Sequence, residues 1–274
     1  MKFRCNPLPR RPEERLTFLL LGLLLPIVFI YEILYLLPEI HEQGSFAYVL
    51  NVLMGIFLVV NIEGNLIACM IIDTSVDPKR AKEATNGNGD FKDWKFCNQC
   101  NQLAPPRSWH CKLCGVCILR RDHHCMFSGY CVGHQNHRYF ICFLFHLTLA
   151  ALHSTVYYSI YMWRIYGFKS FVYAIKRNMM ISCVNLFYSL NIVLLILAFG
   201  ALAVYLPMMM TGEVSGEHKK GQQKKYNFGL NGNLKTVLGQ RMHVVWLFPT
   251  IESKLPKDGY TWNEQTEEPQ SQNN

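Results

Sequence analysis

The chain has 274 residues, 50% of them hydrophobic and only 17% charged, with a formal net charge of +8 and eleven cysteines. That balance excludes a small soluble enzyme and a disordered chain, while the length and the placement of the cysteines exclude a secreted disulfide scaffold. Seven cysteines, Cys97, Cys100, Cys111, Cys114, Cys117, Cys125 and Cys131, fall within 35 residues of a polar stretch, so the cysteine count describes one site.

In chain order, four apolar runs follow one another: Leu16 to Leu37, Phe46 to Ile72, Tyr139 to Trp163 and Met179 to Met210. At 1.5 Å rise per residue each is long enough to cross a hydrocarbon core of about 30 Å, and the fourth, longer than it needs to be, must tilt or protrude. The first run is too long for the core of a signal peptide and has no small-residue cleavage site, so it reads as a retained helix. Pro26 and Glu32 in the first run and Asn51, Asn61, Glu63 and Asn65 in the second are costly in lipid and should face other helices. The expected fold is an α-helical polytopic membrane protein: residues 1–15 an N-terminal segment, 16–72 helices 1 and 2, 73–138 a Cys-rich domain, 139–210 helices 3 and 4, 211–262 a C-terminal region and 263–274 a disordered tail.

Basic residues set the expected orientation. Residues 1–15 hold five Lys and Arg, 38–45 none, 73–138 ten, 164–178 four and the tail after Met210 eight. Both termini and the Cys-rich segment are therefore expected in the cytosol; Arg164, Lys169, Lys176 and Arg177 weaken the contrast without reversing it. In a reducing compartment a dense Cys/His cluster holds metal rather than disulfides.

The Cys-rich segment runs Cys97-x2-Cys100, nine residues, His110-Cys111-x2-Cys114-x2-Cys117, then Arg120-Arg121-Asp122-His123-His124-Cys125 and, after five residues, Cys131. Tetrahedral zinc takes four ligands, so two sites need eight. If His110 and one of the pair His123 and His124 are ligands, six cysteines complete two sites and one is spare. Spacing alone does not say which. Chemistry narrows it: Cys125 directly follows Asp-His-His, and a thiol with a histidine to take its proton and an aspartate to orient that histidine has the parts of an activated nucleophile. A purely structural zinc finger competes with this reading. A ring-type ubiquitin ligase competes less well, because no closing Cys-x-x-Cys follows Cys131.

The whole pattern, Cys-x2-Cys-x9-His-Cys-x2-Cys-x2-Cys-x4-Asp-His-His-Cys-x5-Cys, followed by Asn136 and the Arg138-Tyr139-Phe140 entry to a membrane helix, resembles the cysteine-rich domain of the DHHC-type protein S-acyltransferases. The resemblance implies Cys97, Cys100, His110 and Cys117 as ligands of one zinc and Cys111, Cys114, His124 and Cys131 as ligands of a second. It also implies Cys125 as nucleophile, His123 as its base and Asp122 as the group that polarises the base. The expected reaction is transfer of a palmitoyl group from acyl-CoA to Cys125 and then to cysteines of membrane-associated proteins, with no role for nucleic acid. The family further implies a Golgi or ER membrane. Arg120, Arg121 and Arg138, and the pairs Lys219-Lys220 and Lys224-Lys225, are candidates to meet CoA phosphates, against the plainer reading of the lysines as positive-inside charge facing anionic lipid. Ala150 and Ala151 are candidates to line the deepest part of an acyl cavity.

The tail extends the likeness. Tyr226-Asn227-Phe228-Gly229 with Asn233 is similar to the family's C-terminal Asn- and aromatic-containing motif, which packs the tail on the helices, and the stretch Val245 to Gly259 looks most like the animal subgroup numbered twenty-four. Three places depart from the family. The loop after Cys125 is Met126-Phe127-Ser128-Gly129-Tyr130 in place of one starting Pro-Trp, Asp73-Thr74-Ser75 replaces Asp-Pro-Gly, and Thr-Thr-x-Glu is either Met210-Thr211-Gly212-Glu213 or, with poorer likeness, Ser215-Gly216-Glu217. The altered loop leaves open a zinc-stabilised scaffold that has lost catalysis.

Overall fold

A computed structural model describes residues 2–86, 91, 93–167, 179–219 and 226–262. The expected disordered tail 263–274 and the basic residues Lys169, Lys176, Arg177, Lys220, Lys224 and Lys225 lie outside the described residues.

Four helices carry the architecture: α1 (Pro12–Tyr31), α2 (Phe46–Ile71), α4 (His137–Tyr166) and α5 (Met179–Thr211). All four are long and apolar enough to cross a membrane, which makes the chain an integral membrane protein. A short helix α3 (Pro78–Thr85) follows α2, and α6 (Ser215–His218) and α7 (Gly229–Leu238) follow α5. Helix α4 lies between α2 and α5 and is the centre of the bundle, 61% of its most apolar window being buried, against 6% for α1. The α1 face Leu16, Leu19, Leu23, Ile27 and Ile30 is half or more exposed. Such a face is stable only in lipid.

Helix α1 starts a turn earlier than the apolar run. Pro12 fits the first helical position, where no amide donor is needed, Glu13 and Glu14 suit the positive end of the helix, and the Arg11 amide donates to the Glu14 carboxylate. Glu14 thereby sits in the first turn of α1, ahead of the apolar run that starts at Leu16. Past Tyr31 the helix widens into a π-helical turn, Glu32–Leu36, in which Leu37 N–H reaches back to Glu32 C=O.

Glu32, Asn51, Asn61 and Asn65, four of the expected polar residues, are held inside the bundle. Asn61 and Asn65 are buried and donate to the carbonyls one turn back, at Phe57 and Asn61. His153 donates to the Asn51 side chain at 2.9 Å. Ser154 donates to Glu32 and accepts from Asn191 at 2.6 Å, tying α1, α4 and α5 together.

Between α2 and α4 the chain forms three small antiparallel hairpins: β3 (Lys95–Cys97) with β4 (Gln102–Ala104), β5 (Trp109–Cys111) with β6 (Val116–Ile118), and β7 (His123–Cys125) with β8 (Tyr130–Val132). A fourth ladder joins the N-terminal β1 (Lys2–Phe3) to β2 (Ile72–Asp73) at the end of α2. The N-terminus, the hairpins and the C-terminal tail therefore share one end of the bundle. The tail is fastened there by Asn233, fully buried, which donates to Met210 C=O at the end of α5 and to Asn227, and accepts from the Phe228 amide. At the opposite end Arg164 donates to the carbonyls of Glu39 and Ile40.

Candidate active site and metal clusters

Side chains alternate across a strand, and the hairpins use that period of two to sort the cysteines. On β5, His110 and Cys111 are neighbours in sequence but project to opposite faces. His110, directly across from Cys117, joins Cys97 and Cys100, whereas Cys111 joins Cys114, His124 and Cys131. The four ligand atoms in each group lie within 4.8 Å of one another.

In the first group Cys100 Sγ is 3.2 Å and Cys97 Sγ 3.8 Å from His110 Nδ1, and Cys117 is 3.7 Å from Cys100. In the second, Cys111, Cys114 and Cys131 lie 3.6, 3.3 and 3.8 Å from His124 Nδ1. A tetrahedron with Zn–S of about 2.3 Å and Zn–N of about 2.0 Å has edges of about 3.5 to 3.8 Å, so both groups fit a metal ion of that kind. The outer nitrogen of His124 donates to Glu14 at 2.9 Å, the carboxylate being 3% exposed. A carboxylate behind a histidine ligand fixes its ring and tautomer. Nothing in the local sequence of Glu14 distinguishes it from an ordinary N-terminal helix acid, and the sequence reading did not single it out.

The same alternation separates metal from chemistry on β7. His124 faces the second cluster, paired across the hairpin with Cys131, and His123 and Cys125, two residues apart, share the other face. The pleat of this strand turns alternate members of the His-His-Cys run to opposite faces. Cys125 is 5% exposed and belongs to the buried cluster formed with α2, α4 and α5. The His123 ring interacts electrostatically with the Cys125 sulfur, and its Nδ1 donates to Asp122 at 2.6 Å. The ring sits against Phe140 of α4 and Tyr205 of α5, with centroids 4.8 and 5.1 Å away. Asp122 also accepts from the backbone amide and hydroxyl of Ser215, at 2.8 and 3.0 Å.

The electrostatics follow from these contacts. Burial works against a charged His123, but the Asp122 carboxylate and the Cys125 sulfur outweigh it and raise the imidazole to about 9. Burial likewise disfavours the Cys125 thiolate, yet the His123 hydrogen bond and charge, with the amides of Ser128 and Phe127, bring the thiol below its ordinary range. Asp122 is held well below the usual carboxylate range despite its burial, chiefly by the His123 hydrogen bond.

The loop that departs from the family, Met126 to Tyr130, is built into the site. Besides its two amides on Cys125, its Met126 carbonyl accepts from Thr17 of α1 at 2.9 Å, Ser128 is 1% exposed, and Gly129 takes a φ of +68°. A β-carbon at Gly129 would lie 2.6 Å from Pro9, so glycine is required both by the backbone and by the N-terminal segment crossing it.

The segment after α5 settles where the structure seats its carboxylate. Glu217, of the weaker match, is buried with Arg107, Oε1 and Oε2 lying 2.6 and 2.5 Å from the guanidinium, and Arg107 stacks on Tyr226 and Trp262. Glu213, of the better match, is also buried but pairs with the half-exposed ring of His218 and not with an arginine. Asp73-Thr74-Ser75 is a seat for the domain: the Thr74 carbonyl accepts from Leu119 and its hydroxyl from the Gln135 amide.

The three arginines expected at CoA phosphates sit in different settings, two of them buried. Arg120 is fully buried and donates to His137 and to Gly212 C=O, so it braces the domain against the end of α5. Arg121 is half-buried, and the sulfurs of Cys131 and Cys111 favour its charged form. Arg138 is 5% exposed and stacks on Tyr139; it lies two positions from Phe140, about 200° around α4, and so faces away from His123. Sequence position near the nucleophile did not distinguish a buried brace from a surface cation.

Comparison with known proteins identifies the family. The family model described as DHHC palmitoyltransferase matches residues 90–222. Probable palmitoyltransferase ZDHHC24 of Homo sapiens is 32% identical over 84% of this chain and 84% of its own length, and its Rattus norvegicus counterpart 30% over 74% and 76%. Probable protein S-acyltransferase 14 of Arabidopsis thaliana is 30% identical over 57% of this chain. Given two Cys/His clusters flanking an Asp-His-Cys set and relatives that match along most of its length, the chain belongs to the DHHC palmitoyltransferase family and is similar to its ZDHHC24 members.

Proposed function

We propose that the protein is a protein S-acyltransferase that takes a long-chain acyl group from acyl-CoA onto Cys125 and passes it to cysteines of membrane-associated proteins. The observation that carries this is the shared strand face of His123 and Cys125, with Asp122 behind the histidine. His123 receives the thiol proton, and the Cys125 sulfur attacks the thioester carbonyl. CoA leaves as a thiol, taking a proton back from His123, and an acyl-cysteine remains. A substrate thiol then attacks that acyl-cysteine, its proton passing to His123 and back to Cys125. One thioester replaces another at each step, so no external energy source is needed, and activation and positioning of the sulfur supply the catalysis. Cys97, Cys100, His110 and Cys117 would hold one Zn²⁺ and Cys111, Cys114, His124 and Cys131 the other. The ions supply cross-links that three short hairpins cannot provide by hydrophobic burial.

In this reading the acyl chain lies in the bundle. An apolar cavity of about 240 Å³ between α1 and α5 has Phe127, two residues past Cys125, on its wall. A deeper one of about 50 Å³ shares Leu25, Val28, Asn191 and Leu194 with it and is lined by Ala150, Ala151, Glu32 and Ser154. Each buried methylene contributes about 0.8 kcal/mol, so Ala151→Phe, which fills the deeper cavity, is expected to shift the preference between C16 and C14 acyl-CoA by about tenfold toward the shorter chain. Competition between the two donors measures it; an unchanged ratio places the chain elsewhere.

Ser215 is a positioning residue for Asp122. Ser215→Ala removes one hydrogen bond to a charged acceptor, and the rate of Cys125 acylation is expected to fall about tenfold while Ser215→Thr restores it. Equal rates in all three proteins would remove Ser215 from the mechanism.

The basic end of the bundle supports a cytosolic site, and the family resemblance supports a secretory-pathway membrane, Golgi or ER. The reading as an inactive scaffold rested on the altered loop, and the chain keeps Asp122, His123 and Cys125 beside that loop. The direct test incubates the purified full-length protein with labelled palmitoyl-CoA: a hydroxylamine-sensitive adduct with release of CoA is expected, and a protein that never labels would overturn the reading.

A further inference from the structure

On the face of α4 turned away from His123, a cavity of about 220 Å³ is lined by Gln135, Arg138, Ser253, Lys254, Leu255 and Lys257. Three of the six are cations and none is a carboxylate. Arg138 is 5% exposed, and its Nη1 has no hydrogen-bond partner among the described residues. A buried guanidinium with an unmet donor is costly unless a ligand completes it. Lys254 is exposed, and the Lys257 ammonium rests 4.4 Å over the Phe228 ring, a contact that leaves donors available.

Two features fix the depth of this cavity. Arg138 is the second residue of a membrane-crossing helix, which puts it where α4 enters lipid. The opposite wall follows directly on the tail segment whose Trp246 packs on Phe145 of α4 and whose Phe248 packs on Phe57 of α2, and there Leu247 and Phe248 stay 51% and 47% exposed. That segment touches lipid, and the residues after it rise back to the membrane surface. The ligand class is thus a phosphate held at the level of the headgroups, with apolar chains able to run down beside Leu247 and Phe248.

We propose that Arg138, Lys254 and Lys257 form a binding site for the phosphate of an anionic membrane phospholipid, clamping the C-terminal tail to the start of α4. Phosphate is also carried by CoA, but the site shares no residue with the Asp122, His123 and Cys125 set, and α4 stands between them. A lipid here would act as a structural ligand that fastens the tail.

The test is native mass spectrometry of the full-length protein in detergent micelles with dioleoyl phosphatidate, with dioleoyl phosphatidylcholine, and with phosphatidate plus adenosine 3′,5′-bisphosphate, the phosphate-bearing part of CoA. Phosphatidate adducts should exceed phosphatidylcholine adducts and fall about tenfold or more in Lys254→Gln/Lys257→Gln, as expected for two cations at a membrane surface. Lys79→Gln/Lys82→Gln, two exposed lysines on α3, should leave them unchanged, and the bisphosphate should not displace them. Because Arg138 is buried, Arg138→Gln is informative only where it melts cooperatively; the lysine pair decides without it. Adducts indifferent to Lys254 and Lys257, equally lost in the α3 control, or displaced by the bisphosphate would each overturn the proposal.

Discussion

Cys125→Ser is expected to abolish the acyl-enzyme, lowering the rate by about a thousandfold or more, while leaving the metal content of the protein unchanged. A hydroxyl in place of the thiol has the same size but holds its proton far more tightly, and His123 cannot ionise it to a useful extent. Nothing in either Cys/His cluster depends on Cys125, which sits on the opposite face of β7 from His124. Labelled palmitoyl-CoA and elemental analysis on the same preparations check both halves. A serine variant that labels like the wild type would move the nucleophile to another cysteine. One that loses metal in parallel would show that the ligand set has been divided wrongly.

Cys131→Ala is expected to have the opposite profile: loss of zinc, of folded protein and, as a consequence, of activity. Structural zinc sites contribute on the order of 10 kcal/mol to the folding of small domains, more than the net stability of most of them. Cys131 is fully buried, and removing its sulfur leaves Cys111, Cys114 and His124 short of a tetrahedron. Zinc per chain should fall by at least one of the two sites and the melting transition should broaden or disappear. Retention of both ions with an unchanged transition would remove Cys131 from the ligand set. The pair of variants separates chemistry from cross-linking, because a merely destabilised domain loses both readouts and a disarmed one loses only the first.

Much of this was open to reading in the chain. Span lengths and polar content mark the four membrane helices, since lipid tolerates so few alternatives, and the ligand count isolates a surplus cysteine because zinc enforces four donors. Other parts depend on contacts between distant segments, which local pattern does not encode. Glu14 looks like an ordinary first-turn acid until α1 is extended by a turn and brought under His124. Arg120 looks like a surface cation beside the nucleophile until His137 and Gly212 close over it. Ser215 and Glu217 were the weaker of two matches because α6, only four residues long, carries no periodic signal of its own, and their partners Asp122 and Arg107 lie roughly a hundred residues away. The β7 strand was hidden for a related reason: three residues are too few for an alternating hydrophobic pattern, and its three side chains are two histidines and a cysteine rather than an apolar and polar alternation.

The alternation on β7 also sets which heritable changes this domain can survive. Residue identities in the turn from Met126 to Gly129 can drift, as they have here, so long as the amides still reach the sulfur. A deletion or insertion of a single codon between Asp122 and Cys125 could not be repaired in that way. It would turn the metal-binding histidine toward the substrate and the nucleophile toward the ion, losing structure and activity in one step. In this domain, spacing constrains the site more tightly than the identities of the turn residues.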